Sequence, residues 1–328
     1  MEERRDYWDM VKGALAILVV LGHTLDGYLD SGNLVKSVHL FIYYFHMPLF
    51  IFISGLFTKN LTWERTVSKF LYFIKLTLLA QIIYALNSYI STGIFDFDFS
   101  YMGAWPWYAF ACSAFIIFTY VLQKFNNISV LILSIFIGII IGYESKIFME
   151  YSLSRIFVFY PFFYLGYMTN LEKLEKLIQD KRRKYISLLM LLTIFIVTYF
   201  NMESIEGLIK VFKGVYPYSY LEGFYSDYKL YGPILRAVMY VVSTAISLMF
   251  LTSLSTCQCE FFKRLGKYSL EIYLLHFTVI NIVSSFLNTE TIAGLKQIYI
   301  VIICLLFSTF TAFILSNRYI KIIMDKLK

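Results

Sequence analysis

Ten apolar runs punctuate the chain, near residues 10–29, 38–57, 70–91, 104–122, 128–143, 156–170, 184–200, 234–254, 269–287 and 297–315, with polar residues gathered between them. About 20 helical residues cross the roughly 30 Å hydrocarbon layer of a bilayer. The pattern therefore predicts an all-α, polytopic integral membrane protein with about ten transmembrane helices, the fifth and sixth of them short. The runs are apolar all round, as suits helices that meet lipid or other helices on every side. No repeat of fixed period is visible, and residues 1–328 read as a single transmembrane domain.

The polar intervals orient the bundle. Ten spans put both termini on one side, and with the N-terminus inside, twenty Lys and Arg (Lys12 included) fall in or beside cytoplasmic segments against seven outside, with Lys75 and Arg236 inside spans. An excess of basic residues marks the cytoplasmic side, so the expectation is a multi-pass protein of the plasma membrane with both termini cytoplasmic. The basic stretches LEKLEKLIQDKRRK (171–184), CEFFKRLGKYS (259–269) and RYIKIIMDKLK (318–328) suit contact with lipid phosphates and attraction of a polyanionic cytosolic ligand. The outside is more acidic, as in GIFDFDFSYMG (93–103), and carries one long loop, 201–233, whose tyrosines suit an interfacial belt or stacking on sugar rings. EERR before the first run imitates a secretory signal, but the run is too long and no small-x-small site follows it. It is expected to be a permanent helix.

Composition agrees and narrows the options. With 59% hydrophobic and only 16% charged residues, the chain lacks the charge to cover a soluble surface of this size. Lipid is the expected surrounding, and no nucleic-acid partner is expected. The four cysteines suggest no disulfide framework, Cys257 and Cys259 falling in a predicted cytoplasmic loop where thiols stay reduced. No metal is expected.

Candidate chemistry concentrates in the first two runs. In KGALAILVVLGHT (12–24), Lys12 and His23 are eleven residues apart, about 20° past three full helical turns and roughly 16 Å along the axis. One helix face thus carries a cation near the cytoplasmic side and a deeper imidazole. Asp26, one turn further on, is placed to reach back to the ring and fix its tautomer. In VHLFIYYFHMPLFIFISG (38–55), His39 and His46 are seven apart and share a stripe, and Pro48 permits a bend just after His46. Ionisable groups inside spans are costly and by default functional. Glu271 and His276 are five apart, on different faces, and read as an end-of-span polar residue and a packed ring.

The stretches RRDYWDMVKGALAILVVLGHT (4–24), FHMPLFIFISGLF (45–57), WPWYAFA (105–111), FYPFFYLGYMTN (159–170) and LGKYSLEIYLLHF (265–277) together resemble the integral-membrane acyltransferase-3 family, and within it the fucose-4-O-acetylase-like branch. The resemblance implies O-acyl transfer, usually of acetyl from cytosolic acetyl-CoA as co-substrate, to a hydroxyl of a glycan acceptor, a surface polysaccharide or a lipid-linked saccharide. It maps the family's basic-x10-His pair onto Lys12 and His23. The family's Arg-x-x-Arg pattern is not matched, since Arg65 and Lys69 are four apart; they share a helix face, and with Lys12 they are the candidates for the donor's phosphates. The catalytic candidates are His23 as general base, Asp26 and His46. A transporter or flippase for a lipid-linked glycan is the alternative, although a carrier is expected to show repeated halves with paired broken helices.

Overall fold

A computed structural model of the chain describes residues 2–98, 100, 105–145, 150–221, 225, 227–255, 257–286 and 289–327. Parts of segments singled out above lie outside the described residues: 99 and 101–103 of the acidic stretch, 104 of the fourth run, 222–224 and 226 of the long loop, 287 of the ninth run and 328 of the basic tail. Each apolar run falls on helix. The first is α1 (Glu2–Leu25), and the second is divided between α2 (Asn33–Tyr43) and α3 (His46–Leu56). The third to sixth are α4 (Trp63–Thr92), α5 (Trp107–Leu122), α6 (Asn127–Ile140) and α7 (Leu153–Met168). A short α8 (Leu171–Ile178) precedes α9 (Lys181–Phe200), and the long loop holds α10 (Met202–Ile205) and α11 (Leu208–Phe212). Then come α12 (Tyr228–Leu254), α13 (Glu260–Lys267), α14 (Ser269–Phe286), α15 (Thr289–Ala293), α16 (Gln297–Leu315) and α17 (Arg318–Leu327). No strand occurs among the described residues.

Among the described residues, seven segments are long and apolar enough to cross a membrane: Asp6–Ser31, Asn33–Leu56, Trp63–Thr92, Arg182–Phe200, Tyr228–Leu254, Ser269–Phe286 and Gln297–Leu315. The remaining three predicted spans are helices of 16, 14 and 16 residues (α5, α6 and α7), below the length of about 20 that a perpendicular crossing needs. The helix starts are set by local chemistry. Thr62, Asn126, Asn170, Asp180 and Asp227 each accept a backbone N–H of the turn that follows them, which satisfies donors that the helix itself leaves open.

The bend in the second run lies before His46, at Tyr44 and Phe45, rather than after it; Phe45 has φ −143° and ψ −20°. Proline clashes with the carbonyl four residues earlier and cannot donate to it. For Pro48 that residue is Tyr44.

Two glycine pairs set the packing that matters for the site. A Cβ on Gly13 would sit 2.0 Å from the carbonyl oxygen of Phe262, and one on Gly266 would sit 1.7 Å from that of Asp9. Both distances are far inside van der Waals contact, so the backbones of α1 and α13 meet only because neither residue has a side chain. Gly55 and Gly166 do the same for α3 and α7. Lys263 ties the first contact electrostatically, donating to Asp6 at 3.0 Å and to Glu260 at 2.7 Å. Lys12 lies near this end of the bundle, here termed the basic end. Lys59, just after α3, donates to the carbonyls of Gly166, Tyr167 and Thr169 where α7 stops, the first of which also accepts the Thr169 N–H. Beyond the glycine contact, α1 packs on α14 and α16, and α4 packs on α5 and α14.

Candidate active site

Those contacts leave a cavity of about 260 Å³ between α1, α3, α4, α14 and the entry to α5. The α1 wall is Lys12, Ala16, Val19 and His23, at successive steps of four, three and four. The predicted shared face of Lys12 and His23 is thus realised as one wall of one cavity. Opposite stand Met47, Phe50, Ile53 and Ser54 of α3, and Tyr72, Phe73 and Leu76 of α4. Trp105, Trp107 and Tyr108 close one side, and Ser269, Leu270, Ile272, Tyr273 and His276 of α14 the other. Most of this lining is apolar or aromatic, so the few polar atoms that reach it carry its chemistry.

At the basic end Lys12 pairs with Asp9 at 2.7 Å, its side chain 31% exposed. Arg65 and Lys69 do not line the cavity. Arg65 is exposed and donates to the carbonyl of Asn60 at 3.2 Å. Lys69 stands one turn before Tyr72 and Phe73, which do line it.

The His23 end is built from distant parts of the chain. Asp26 opens a 3-10 turn, Asp26–Ser31, directly after α1. Its Oδ2 faces His23 Nδ1 at 3.3 Å, while its Oδ1 faces His39 Nε2 at 3.0 Å and accepts from Lys213 Nζ at 3.1 Å. An ionised carboxylate only accepts hydrogen bonds, so both imidazole nitrogens that face it carry protons. His23 is thereby held in the Nδ1–H tautomer, with the lone pair on Nε2. Lys213 Nζ also lies over the Tyr43 ring at 5.0 Å.

His46 is buried, but it does not line the cavity. Its Nδ1 donates to the carbonyl of Ile42 at 2.8 Å, and its ring packs edge-on against Tyr43 at 4.8 Å. The bend before His46 removes it from the stripe expected to carry it with His39; both instead flank Tyr43.

His276, read from sequence as a packed ring, lines the cavity and stacks on His23 at 5.4 Å with 28° between the planes. Gly266 ends the stretch of α13 that touches α1, and α14 follows within three residues and packs on α1 with His276 beside His23. Sequence reasoning also missed Lys213, Trp105 and Arg155, whose guanidinium lies over the Trp107 ring at 4.9 Å. Among the described residues, no group of three or more His, Cys, Asp or Glu is arranged to hold a metal ion.

An imidazole with a fixed tautomer at the end of an apolar cavity is of a kind that can take a proton from a hydroxyl. Residues 5–317 match the acyltransferase-3 family, described as an acyltransferase domain. The chain belongs to this family. The match runs from before Lys12 to beyond His276 and so takes in every wall of the cavity. This family member is also 31% identical over 180 residues to the nodulation protein NolL of Sinorhizobium fredii (strain NBRC 101917 / NGR234), covering 49% of this chain and 47% of NolL. The match thus spans about half the length of that curated relative. No solved structure matches the chain.

Proposed function

We propose that this protein is a membrane-bound O-acyltransferase that moves an acetyl group from cytosolic acetyl-CoA to a hydroxyl of a cell-surface or secreted glycan. The observation that carries the reading is the cavity that joins Lys12 to His23. The donor's nucleotide is too large and charged to enter the bilayer. It would stay at the basic end, with Lys12, Lys69 and Arg65 near its phosphates, while its thin arm follows the apolar cavity inward. The basic end is the cytoplasmic side in this reading, and both termini share it.

The residues supply what the reaction needs. A sugar hydroxyl is a poor nucleophile until a base removes its proton. As the hydroxyl oxygen bonds to the thioester carbon, its proton passes to His23 Nε2. Asp26 keeps the opposite ring nitrogen protonated and steadies the imidazolium that forms, as the carboxylate does in other base–carboxylate pairs. The C–S bond then breaks, and the sulfur takes the proton back from His23 to leave as free CoA. His46, bonded to a backbone carbonyl outside the cavity, has no part in these steps.

Thioester turnover is the test. Purified protein given acetyl-CoA and a glycan acceptor is expected to release CoA and acetylate the glycan in equal amounts. Movement of a lipid-linked glycan across a vesicle membrane without CoA release would replace the enzyme with a carrier. Orientation is checked separately in a Cys-free background. Single cysteines in 171–184 are expected to react with an impermeant thiol reagent only after permeabilisation, and those in 201–233 in intact cells.

A further inference from the structure

Two buried polar atoms on residues that line the cavity stand out because no described residue satisfies them. Trp105 Nε1 and His276 Nε2 are buried and have no hydrogen-bond partner among the described residues. Both residues line the cavity, at 2% and 0% exposure, and their rings lie 6.2 Å apart. The chemical identity of each atom is fixed. An indole nitrogen can only donate. His276 Nδ1 faces the carbonyl oxygens of Ile272 at 3.0 Å and Tyr273 at 2.8 Å. Carbonyls only accept, so the proton is on Nδ1 and Nε2 is a bare acceptor. Tyr273 anchors the arrangement from behind. Its hydroxyl donates to the Trp105 carbonyl at 2.8 Å and receives the Ala109 N–H at 3.3 Å.

A buried donor and a buried acceptor left unpaired in the wall of one apolar cavity are costly to the empty protein, and a ligand that displaces the wall side chains covering them and offers the complementary pair relieves both. Sugar rings present many hydroxyls and need many polar partners. The end of a pantetheine-type thioester presents one carbonyl and, two methylenes beyond the sulfur, one amide N–H on a narrow arm. Resting on the acyl-transfer reading above, we propose that Trp105 and His276 hold the reacting end of the acyl donor. The indole N–H donates to the thioester carbonyl oxygen, and His276 Nε2 accepts from the amide N–H nearest the sulfur.

The roles differ in time. The amide bond forms when the donor binds and persists. The indole contact strengthens as the hydroxyl oxygen attacks and the carbonyl electron pair moves onto oxygen, so Trp105 supplies the oxyanion donor. The hydroxyl proton goes to His23 Nε2. When the pair returns from oxygen, the C–S bond breaks, and the sulfur takes that proton as it leaves. His276 keeps its Nδ1 proton throughout.

The experiment uses the full chain in lipid discs and two short acetyl donors of similar length, the S-acetyl thioester of N-acetylcysteamine and S-pentyl thioacetate, which lacks the amide. The wild type is expected to prefer the amide-bearing donor in kcat/KM by about tenfold, a typical worth of one buried hydrogen bond. His276→Leu should erase the preference, and His276→Gln, whose side-chain oxygen can accept at a similar reach, should restore part of it. Trp105→Phe should lower kcat about 100-fold and leave the affinity for S-ethyl-CoA, a thioether without the carbonyl, unchanged. A preference absent from the wild type or surviving in His276→Leu overturns the His276 assignment. Equal losses of kcat and S-ethyl-CoA affinity in Trp105→Phe reduce the indole to packing and overturn its half. A wild type that turns over neither short thioester nor acetyl-CoA would sink the acyl-transfer reading itself, a result distinct from both.

Discussion

At the Lys12 end of the cavity one cation is held by a carboxylate three residues before it, on its own helix and partly in solvent. At the His23 end one imidazole meets Asp26 in the turn after α1 and stacks on His276 of α14, and Asp26 is itself fixed by His39 on α2 and Lys213 in the long loop. The contrast fits the roles proposed for the two ends. Attraction of an anion needs charge and tolerates motion, because the Coulomb energy varies slowly with distance at a hydrated mouth. Proton removal needs a particular nitrogen, with a particular tautomer, aimed at one hydroxyl, and small displacements cost rate. A group with the second task is expected to be held from several sides.

The comparison breaks most sharply at His23. Replacement by alanine is expected to lower kcat by about 10³-fold or more, with the amount of inserted protein unchanged, since helix packing at Gly13 and Gly266 is untouched. Product formation at the wild-type level in His23→Ala would remove the base from the mechanism. Asp26→Asn is the next largest. An amide can donate to His23 Nδ1 and so permits the wrong tautomer, and it cannot stabilise the imidazolium; kcat should fall about 100-fold with little change in KM for acetyl-CoA. An unchanged kcat would mean that the tautomer is set elsewhere.

How much of this was legible in the sequence follows the same division. The shared face of Lys12 and His23 is helical arithmetic, and it holds. The approach of Asp26 to His23 is a one-turn relation, and it holds too. Lys213 reaches Asp26 across 187 residues, a contact no local periodicity encodes. His276 is the packed ring its sequence position suggests, and its stacking on His23 is a contact between helices that no local periodicity encodes. The bend near Pro48 was recognised and placed on the wrong side of His46, because the proline ring acts on the turn before it. The expectation of about ten spans stands open for a different reason: an apolar run reports hydrophobicity, and of the ten runs those on α5 to α7 form helices too short to qualify by length alone.

At the basic end the effects should be smaller and should fall on binding. Lys12→Ala is expected to raise KM for acetyl-CoA about ten- to thirtyfold, the worth of one charged contact at a partly hydrated site, with kcat little changed. Lys12→Arg should keep most of the affinity, since charge more than shape is required. A lysine that only snorkels to the membrane surface would leave KM unaltered and lower only the amount inserted.

The smallest effect sharpens the comparison most, because it is expected to improve the enzyme. Lys12 is not idle in the empty protein; its ammonium is shared with Asp9 at 2.7 Å. A donor phosphate must compete with that carboxylate, and the carboxylate's own charge repels it. Partly exposed pairs of this kind contribute about 0.2–1 kcal/mol, so releasing Lys12 cannot shift affinity by more than a few fold. Asp9→Asn is therefore expected to lower KM for acetyl-CoA about two- to fivefold at low salt, with kcat unchanged and the gain shrinking as ionic strength rises. The same substitution in a Lys12→Ala background should lose most of that gain, because the cation it was meant to free is absent. A fall in KM that persists at full size in the double variant would show that Asp9 repels the donor directly, and Lys12 would then not be the residue that meets the phosphates.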